Sequence, residues 1–180
     1  MRREALESVG VGKLCEAWHV DLARISMSSR GNVRVLVAVE GLPRYVVLET
    51  MSKKAAATAL STYHSRSTST FGMPLRETSD NGGELSGEFH ENMKQAHIDH
   101  RTITALNPRA NGLAESGVGM FKLALKKMAQ GPNARKAWEE FVPFIQLAYN
   151  RTLQFSSKVA PTVTMMAQLP TMSGSVMKAP

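Results

Sequence analysis

The chain has 180 residues and a mass of 19.7 kDa, and its composition, 43% hydrophobic and 21% charged, is that of a single globular domain. The 22 basic residues exceed the 15 acidic ones, and the net charge of +7 favours a polyanionic partner such as nucleic acid. A single cysteine, Cys15, excludes an intrachain disulfide or a multi-cysteine zinc site and fits a reducing, intracellular compartment. The longest apolar runs are too short to cross a bilayer and no secretory signal is visible, so we expect no membrane partner.

The first half of the chain predicts strands followed by a helix. Alternating or β-branched residues predict strands at 17–26, 33–40 and 44–50. The alanine-rich segment 52–67 predicts a helix, with Ser52 as its N-cap.

The second half predicts strands and helices in alternation. Strands are predicted at 75–78 and 98–104, with a glycine-rich loop at 79–83 and a helix at 87–96 between them. Long helices are predicted at 111–128 and 133–152, the second kinked or split at Pro143. This order predicts an α/β fold in which helices pack on a mixed sheet. Residues 1–16 are expected to form an N-terminal extension and residues 171–180 a flexible tail.

The charge is unevenly distributed along the chain. Residues 1–70 carry 10 basic and 6 acidic side chains, residues 71–110 carry 4 and 6, and residues 111–180 carry 8 and 3. Two basic segments therefore flank an acidic one. Chance composition can explain this pattern. A cation-binding cluster of carboxylates within a surface that attracts phosphates explains it equally well, so the charges alone leave both interpretations open.

Three acids in different predicted elements are candidates for chemistry. Asp21 lies mid-strand, Asp80 lies in the turn after a strand, and Glu115 lies near the start of a helix. Each has an ordinary explanation: a solvent-facing strand position, a turn-forming residue and a favourable interaction with the helix dipole. Together, carboxylates from these three places can converge on one point, where hard cations such as Mg²⁺ or Mn²⁺ would neutralise them.

The segments around these acids carry a resemblance to a known family. TSDNGGEL (78–85) and NPRANGLAES (107–116) resemble the two signature blocks of retroviral and retrotransposon integrases, and HVDL (19–22) resembles their first catalytic strand. AYNRTLQFSSKVAP (148–161) resembles a segment near the end of the core in gypsy-type retrotransposons. The resemblance implies an RNase H-like integrase catalytic core over residues 17–170, with a five-stranded mixed sheet flanked by helices.

The resemblance also implies an activity. It identifies Asp21, Asp80 and Glu115 as a D-D-E triad that holds two Mg²⁺ or Mn²⁺ ions in a polynucleotidyl transferase. Such an enzyme trims the 3′ end of the element's DNA with water and then joins the new 3′-hydroxyl to target DNA. The implied partners are both DNAs and further copies of the chain, the implied location is the nucleus, and the implied origin is a longer retrotransposon polyprotein.

Three further residues are expected to bind DNA. On the family match, Asn111 would line the catalytic loop and Lys122 would contact the DNA backbone. Helical spacing places Lys122 and Lys126 on the same face as Glu115. Apolar residues form a separate stripe for packing: Ala114, Val118, Phe121, Leu125 and Met128. An ordinary solvated face is the alternative explanation for the lysines, above all for Lys126.

Several positions depart from the family pattern. Val118 and Gly119 replace a usual Asn and a common Lys, and Glu40 stands where Asp is general. Gly117 and Gly119 lie inside a predicted helix, where each costs about 1 kcal/mol relative to Ala. These departures favour an alternative, a decayed or domesticated core that binds nucleic acid without catalysis. A second alternative is an RNase H-like nuclease or another D-D-E transposase acting on different substrates.

Overall fold

The computed structural model describes residues 13–52, 56–80, 93–103 and 108–167, and for residues 56–60, 80, 103 and 108–111 it describes the backbone only. The strands are β1 (Ala17–Arg24), β2 (Asn32–Glu40), β3 (Val46–Ser52), β4 (Arg76–Asp80) and β5 (Asp99–Ile103). The helices are α1 (Ala56–Phe71), α2 (Pro108–Met128), α3 (Pro132–Lys136), α4 (Val142–Arg151) and α5 (Pro161–Met166), and a 3-10 turn (Trp138–Phe141) joins α3 to α4. No helix within these ranges has the length and apolar character needed to cross a bilayer.

The strands form one mixed sheet in the order β3-β2-β1-β4-β5. β1 pairs antiparallel with β2, which pairs antiparallel with β3, whereas β4 lies parallel to both β1 and β5. Residues 35–40 of β2 are all buried, as expected for a strand covered on both faces. The predicted α/β fold with a five-stranded mixed sheet flanked by helices is confirmed.

Side chains along the central strands point alternately to the two faces of the sheet, and each face is covered by a helix. On one face, here called the α1 face, Trp18, Val20, Leu36 and Ala38 pack with Tyr63 of α1. On the other, the α2 face, Val35, Val37 and Val39 pack with Phe121 and Leu125 of α2. Each large apolar side chain buried in this way contributes about 1.5–3 kcal/mol. The sheet is thereby fixed between α1 and α2.

Helix α4 covers the outer edge of β3. The backbone N–H of Val46 donates to Asn150 Oδ1, and Asn150 Nδ2 donates to the Val46 carbonyl, both at 2.8 Å. Farther along, the Leu48 N–H donates to Gln146 Oε1 at 2.8 Å. These bonds satisfy edge groups that would otherwise be open to pairing with another chain. The asparagine of the AYN segment therefore has a structural role.

The first strand and helix boundaries differ from their predictions for local reasons. Strand β3 begins at Val46 rather than at residue 44, because Arg44 adopts a left-handed backbone with φ of 65° in the turn before it. Ser52 is not an N-cap: it pairs with Asn32 as the last residue of β3, and α1 begins at Ala56. Residues 53–55 lie outside the described part of the chain.

The later helices also begin and end differently. Helix α2 starts at Pro108, three residues before the predicted start. Proline suits the first helical position because it has no backbone N–H, and an N–H there would have no partner within the helix. The predicted helix at 133–152 is split into α3, the 3-10 turn and α4, and Pro143 lies in the first turn of α4. Helix α5 was not predicted.

The acidic segment between β4 and β5 is described only in part. Residue Asp80 ends β4 instead of opening a loop, and of the predicted helix at 87–96 only residues 93–95 are described as helical. The predictions for 81–92, for most of the N-terminal extension and for the C-terminal tail fall outside the described residues and stay predictions.

Candidate active site

Asp21 and Asp80 occupy neighbouring positions on adjacent parallel strands. Strands β1 and β4 pair in register as far as Val20 and Ser79, and each aspartate is the next residue. Adjacent strands lie about 4.8 Å apart, so the backbones of the two acids are side by side in the middle of the sheet. The sheet order thus brings together two residues that are 59 positions apart in the sequence.

The half-buried side chain of Asp21 points to the α2 face. Asp21 pairs with Val37 across the β1–β2 ladder, and directly paired residues share a face of the sheet. Val37 belongs to the core cluster under α2. One carboxylate oxygen of Asp21, Oδ1, accepts the N–H of Leu22 at 2.7 Å, which helps to orient the group.

Helix α2 passes so close to β2 that only glycine fits at position 117. A Cβ added at Gly117 would lie 2.8 Å from Val39 Cγ2 and 3.1 Å from Val37 Cγ1. Since Val37 is the strand partner of Asp21, this contact places the helix beside the first acid. Glu115 lies two residues earlier on α2 and is exposed, so the third acid of the predicted triad lies on the same side of the sheet.

The donor chemistry of these acids fits a hard divalent cation. Carboxylate oxygens are the ligands that Mg²⁺ and Mn²⁺ prefer. No lysine, arginine or histidine of the described part forms an ion pair with Glu115, so its carboxylate is available. The residues whose side chains the structure describes, which do not include Asp80, contain no group of three His, Cys, Asp or Glu side chains that could hold a metal.

Of the three predicted DNA-binding residues, the two lysines are exposed on α2. Lys122 and Lys126 follow Glu115 along the helix surface, while Ala114, Phe121 and Leu125 are buried against the sheet. Met128, predicted to complete the apolar stripe, is 40% exposed because the helix ends there. Asn111 is the fourth residue of α2, and its side chain lies outside the described set, so its role stays a prediction.

Glu40 holds two turns together. Its buried carboxylate accepts the N–H of Cys15 at 2.8 Å and the N–H of Leu42 at 2.6 Å. Burial raises the pKa of Glu40, and the two backbone N–H donors act in the opposite direction. Glu40 therefore has a structural role in connecting these two turns.

A second buried carboxylate, Glu77 on β4, was not predicted from the sequence. Glu77 is fully buried and pairs with Trp18, which places it on the α1 face. Burial raises the pKa of Glu77 to about 8, and its carboxylate oxygens have no hydrogen-bond partner among the described residues. The pattern of polar residues in β4, RETSD, is typical of an exposed strand, so only the packing of α1 reveals the burial.

Histidines lie next to Glu77. His64 Nε2 of α1 is 3.7 Å from Glu77 Oε2, and burial, together with the nearby His100, lowers the pKa of His64 to about 4. His100 is the strand partner of Glu77, and its Nε2 lies 2.9 Å from Ser79 Oγ. With both pKa values shifted by burial, Glu77 and His64 are both neutral near pH 7, so their proximity does not make a salt bridge.

No family model matches the sequence, and no curated protein matches it. Solved structures do. The magnesium complex of the HTLV-2 integrase catalytic core domain matches in its trimeric form with a TM-score of 0.62 and 21% identity, covering 81% of this chain and 92% of that one. Its dimeric form matches with a TM-score of 0.61 and 22% identity, covering 82% and 94%.

A larger assembly gives the same result. The simian T-cell lymphotropic virus intasome, in complex with the PP2A regulatory subunit B56 gamma, matches with a TM-score of 0.67 and 19% identity, covering 87% of this chain and 56% of that one. At this level of identity the likeness shows the fold. The chain shares its fold with retroviral integrase catalytic cores, as the sequence resemblance predicted.

Proposed function

We propose that this chain is the core of an integrase-type polynucleotidyl transferase, in which Asp21, Asp80 and Glu115 hold two Mg²⁺ or Mn²⁺ ions. The observation that supports this most is the β1–β4 register, which sets Asp21 beside Asp80 on the sheet that α2 crosses. The fold shared with integrase cores supports the same assignment, and two of the similar structures are magnesium complexes.

The chain's own contribution would be to place the carboxylates. Asp21 is fixed within the central strand, and Glu115 is fixed by the close contact of Gly117 with β2. When bound, the ions would supply activation of the attacking oxygen and stabilisation of the leaving oxygen in an in-line displacement at phosphorus. Water would attack first and release the terminal piece of the element's DNA, and the resulting 3′-hydroxyl would then attack a target phosphodiester.

The surface and the fold support DNA and further copies of the chain as partners. Lys122 and Lys126 extend from the acids along the exposed side of α2, where they would contact DNA phosphates. The similar structures include a dimer, a trimer and an intasome, which supports assembly of this chain with further copies on DNA. Joining to chromosomal target DNA would take place in the nucleus.

The test is cleavage and strand transfer on labelled duplex DNA in the presence of Mn²⁺. Asp21→Asn and Asp80→Asn should each lower the rate by at least about 100-fold, since a bound metal is worth several kcal/mol to the transition state. Glu140→Gln is the matched control, because it removes the same charge from an exposed carboxylate on the 3-10 turn. Activity that survives Asp80→Asn would overturn the proposal.

A second candidate is a decayed core that binds nucleic acid without catalysis. Val118 and Gly119 still favour it, whereas packing against β2 explains Gly117 and the Glu40 carboxylate has a structural role. Calorimetric titration with Mn²⁺ separates the candidates, because an active site binds the ion in the wild-type chain and loses it in Asp21→Asn. A scaffold without catalysis need not bind the ion at all.

A further inference from the structure

A side-chain hydrogen bond connects the end of β4 to β5. The Nε2 atom of His100 on β5 lies 2.9 Å from the Oγ atom of Ser79 on β4. His100 is paired directly with Glu77, two residues before Ser79, so His100 and Ser79 are diagonal neighbours on one face of the sheet, within reach of a long side chain. Ser79 is fully buried and His100 is half-buried. The bond is therefore largely shielded from water, which strengthens it.

This bond lies next to the second acid of the proposed triad. Ser79 directly precedes Asp80, the last residue of β4. The β1–β4 ladder ends at the pair Val20–Ser79, whereas the β4–β5 ladder continues one residue farther, to the pair Asp80–Ile103. The backbone of Asp80 is thus paired on the side of β5, which lies at the edge of the sheet. The attachment of β5 to β4 therefore affects how firmly Asp80 is placed.

A second side-chain link between the two strands is exposed and distant from Asp80. Arg76 Nε of β4 lies 3.4 Å from Asp99 Oδ2 of β5, and the same Asp99 oxygen lies 2.9 Å from Arg101 Nε. The side chain of Asp99 is 50% exposed, and exposed ion pairs add little to stability. Arg76 precedes Asp80 by four residues, about 13 Å along a strand. The Ser79–His100 bond is therefore the better placed of the two links to hold the end of β4.

The titratable groups around His100 on the α1 face are neutral near pH 7. Burial raises the pKa of Glu77, the strand partner of His100, to about 8, and burial lowers the pKa of His64 on α1 to about 4. Burial also raises the pKa of Tyr63, the residue before His64. Because Glu77 keeps its proton, no carboxylate from this group competes with the Ser79 hydroxyl for His100.

We propose that His100 is a positioning residue for the metal site, holding the end of β4, through Ser79, in the place from which Asp80 binds the ions together with Asp21. This inference rests on the proposed function, because it takes Asp80 as a metal ligand. His100 lies on the α1 face and Asp21 on the α2 face, so His100 acts through the strand and not as a ligand. Partners behind the ligands that hold a metal site in place raise its affinity for the ion.

Variants on both sides of the bond test its role. Ser79→Ala removes the hydroxyl, and His100→Phe removes the ring nitrogens while keeping an aromatic ring. Calorimetric titration with Mn²⁺ at pH 7 should show about tenfold weaker binding for each variant. The double variant should lose no more than the weaker-binding single variant, because both changes remove the same interaction. Ser79→Thr keeps a hydroxyl and should restore most of the affinity lost in Ser79→Ala.

Two control variants separate positioning from a general loss of stability. Arg76→Gln removes the exposed link of the same ladder, and Gln146→Ala removes a hydrogen bond to β3 at the opposite edge of the sheet. Both should bind Mn²⁺ as the wild type does. DNA cleavage gives a second measurement: a saturating Mn²⁺ concentration should restore it in Ser79→Ala and His100→Phe, whereas Asp80→Asn should stay inactive.

The outcomes separate this inference from the proposed function. Unchanged Mn²⁺ affinity in Ser79→Ala and His100→Phe, with affinity lost in Asp80→Asn, would overturn the role of His100 and leave the triad in place. Additive losses in the double variant, or equal losses in the two controls, would also overturn it, because the effect would not come from this bond. A wild-type chain that binds no Mn²⁺ would overturn the proposed function and this inference with it.

Discussion

Gly117 of α2 lies directly against Val39 of β2, and a Cβ at position 117 would come within 2.8 Å of Val39 Cγ2. Val39 is buried, and its neighbour on the same strand face, Val37, is the partner of Asp21. The contact therefore sets how closely α2 approaches the strand that carries the first acid. A glycine that weakens the helix by about 1 kcal/mol in isolation is required here by packing.

Gly117→Ala should destabilise the fold, whereas Gly119→Ala should stabilise it. Overpacking at position 117 costs about 1–3 kcal/mol and outweighs the gain of up to about 1 kcal/mol in helix propensity. At Gly119 an added Cβ meets nothing within 4 Å, so only the gain of about 0.4–1 kcal/mol remains. Urea unfolding of both variants measures the difference. Equal stabilities would contradict the close contact.

Glu77 should make the protein less stable as the pH rises from about 6.5 to 8. Its pKa in the folded state is about 8, above the ordinary 4.5, so over this range the folded chain still holds a proton that the unfolded chain has already released. The contribution of Glu77 to the free energy of unfolding is complete below its unfolded pKa. It is lost as the pH rises to about 8, at about 1.4 kcal/mol per pH unit. Unfolding free energies measured across this range should show the fall.

Below pH 6.5 His64 should oppose this trend. Its folded pKa of about 4 lies below the ordinary 6.5, so the unfolded chain takes up a proton first and stability falls as the pH drops. Between about pH 4.5 and 6.5, the effects of Glu77 and His64 on the pH dependence of the unfolding free energy should cancel. Glu77→Gln should remove the fall above pH 6.5 and expose the His64 slope below it, and Glu140→Gln should leave the profile unchanged. Parallel profiles for wild type and Glu77→Gln would show that Glu77 is not the group responsible.

Asn150→Ala should cost about 2–4 kcal/mol. The change removes two hydrogen bonds and leaves the N–H and carbonyl of Val46 without partners at a buried position. Gln146→Ala is the comparison, because it removes one bond to the same strand from a half-buried residue and should cost about 1 kcal/mol. Unfolding in urea measures both losses. An Asn150→Ala loss no larger than that of Gln146→Ala would mean that the edge of β3 finds other partners.

The central strands could be predicted because hydrophobic runs and alternation are visible in the local sequence. The β-branched run of β2 and the alternation around Asp21 in β1 needed no tertiary information. Ser52 was misassigned because a polar residue after a strand is also a typical N-cap, and only its pairing with Asn32 shows that the strand continues. Arg44 gives no sign of its left-handed backbone, which depends on the turn.

The candidate site, too, could be predicted from the sequence only in part. Motif resemblance identified Asp21 and Asp80, but their adjacency depends on the β1–β4 register between segments far apart in the sequence. Glu77 was missed because nothing local distinguishes an exposed strand from one that α1 covers.

The effect of Asp21→Asn on the stability of the fold should change sign when a divalent metal is added. The proposed triad brings like charges together, so without divalent ions the loss of the Asp21 charge should relieve repulsion and leave the variant at least as stable as the wild type. With Mn²⁺ at 100 times its dissociation constant, the wild type should gain about 2.7 kcal/mol, because only the folded chain assembles the ligands. The variant should gain much less, and Glu140→Gln should respond as the wild type does. The measurement is urea unfolding with EDTA and with Mn²⁺, and an equal Mn²⁺ response in wild type and Asp21→Asn would place any bound metal away from Asp21.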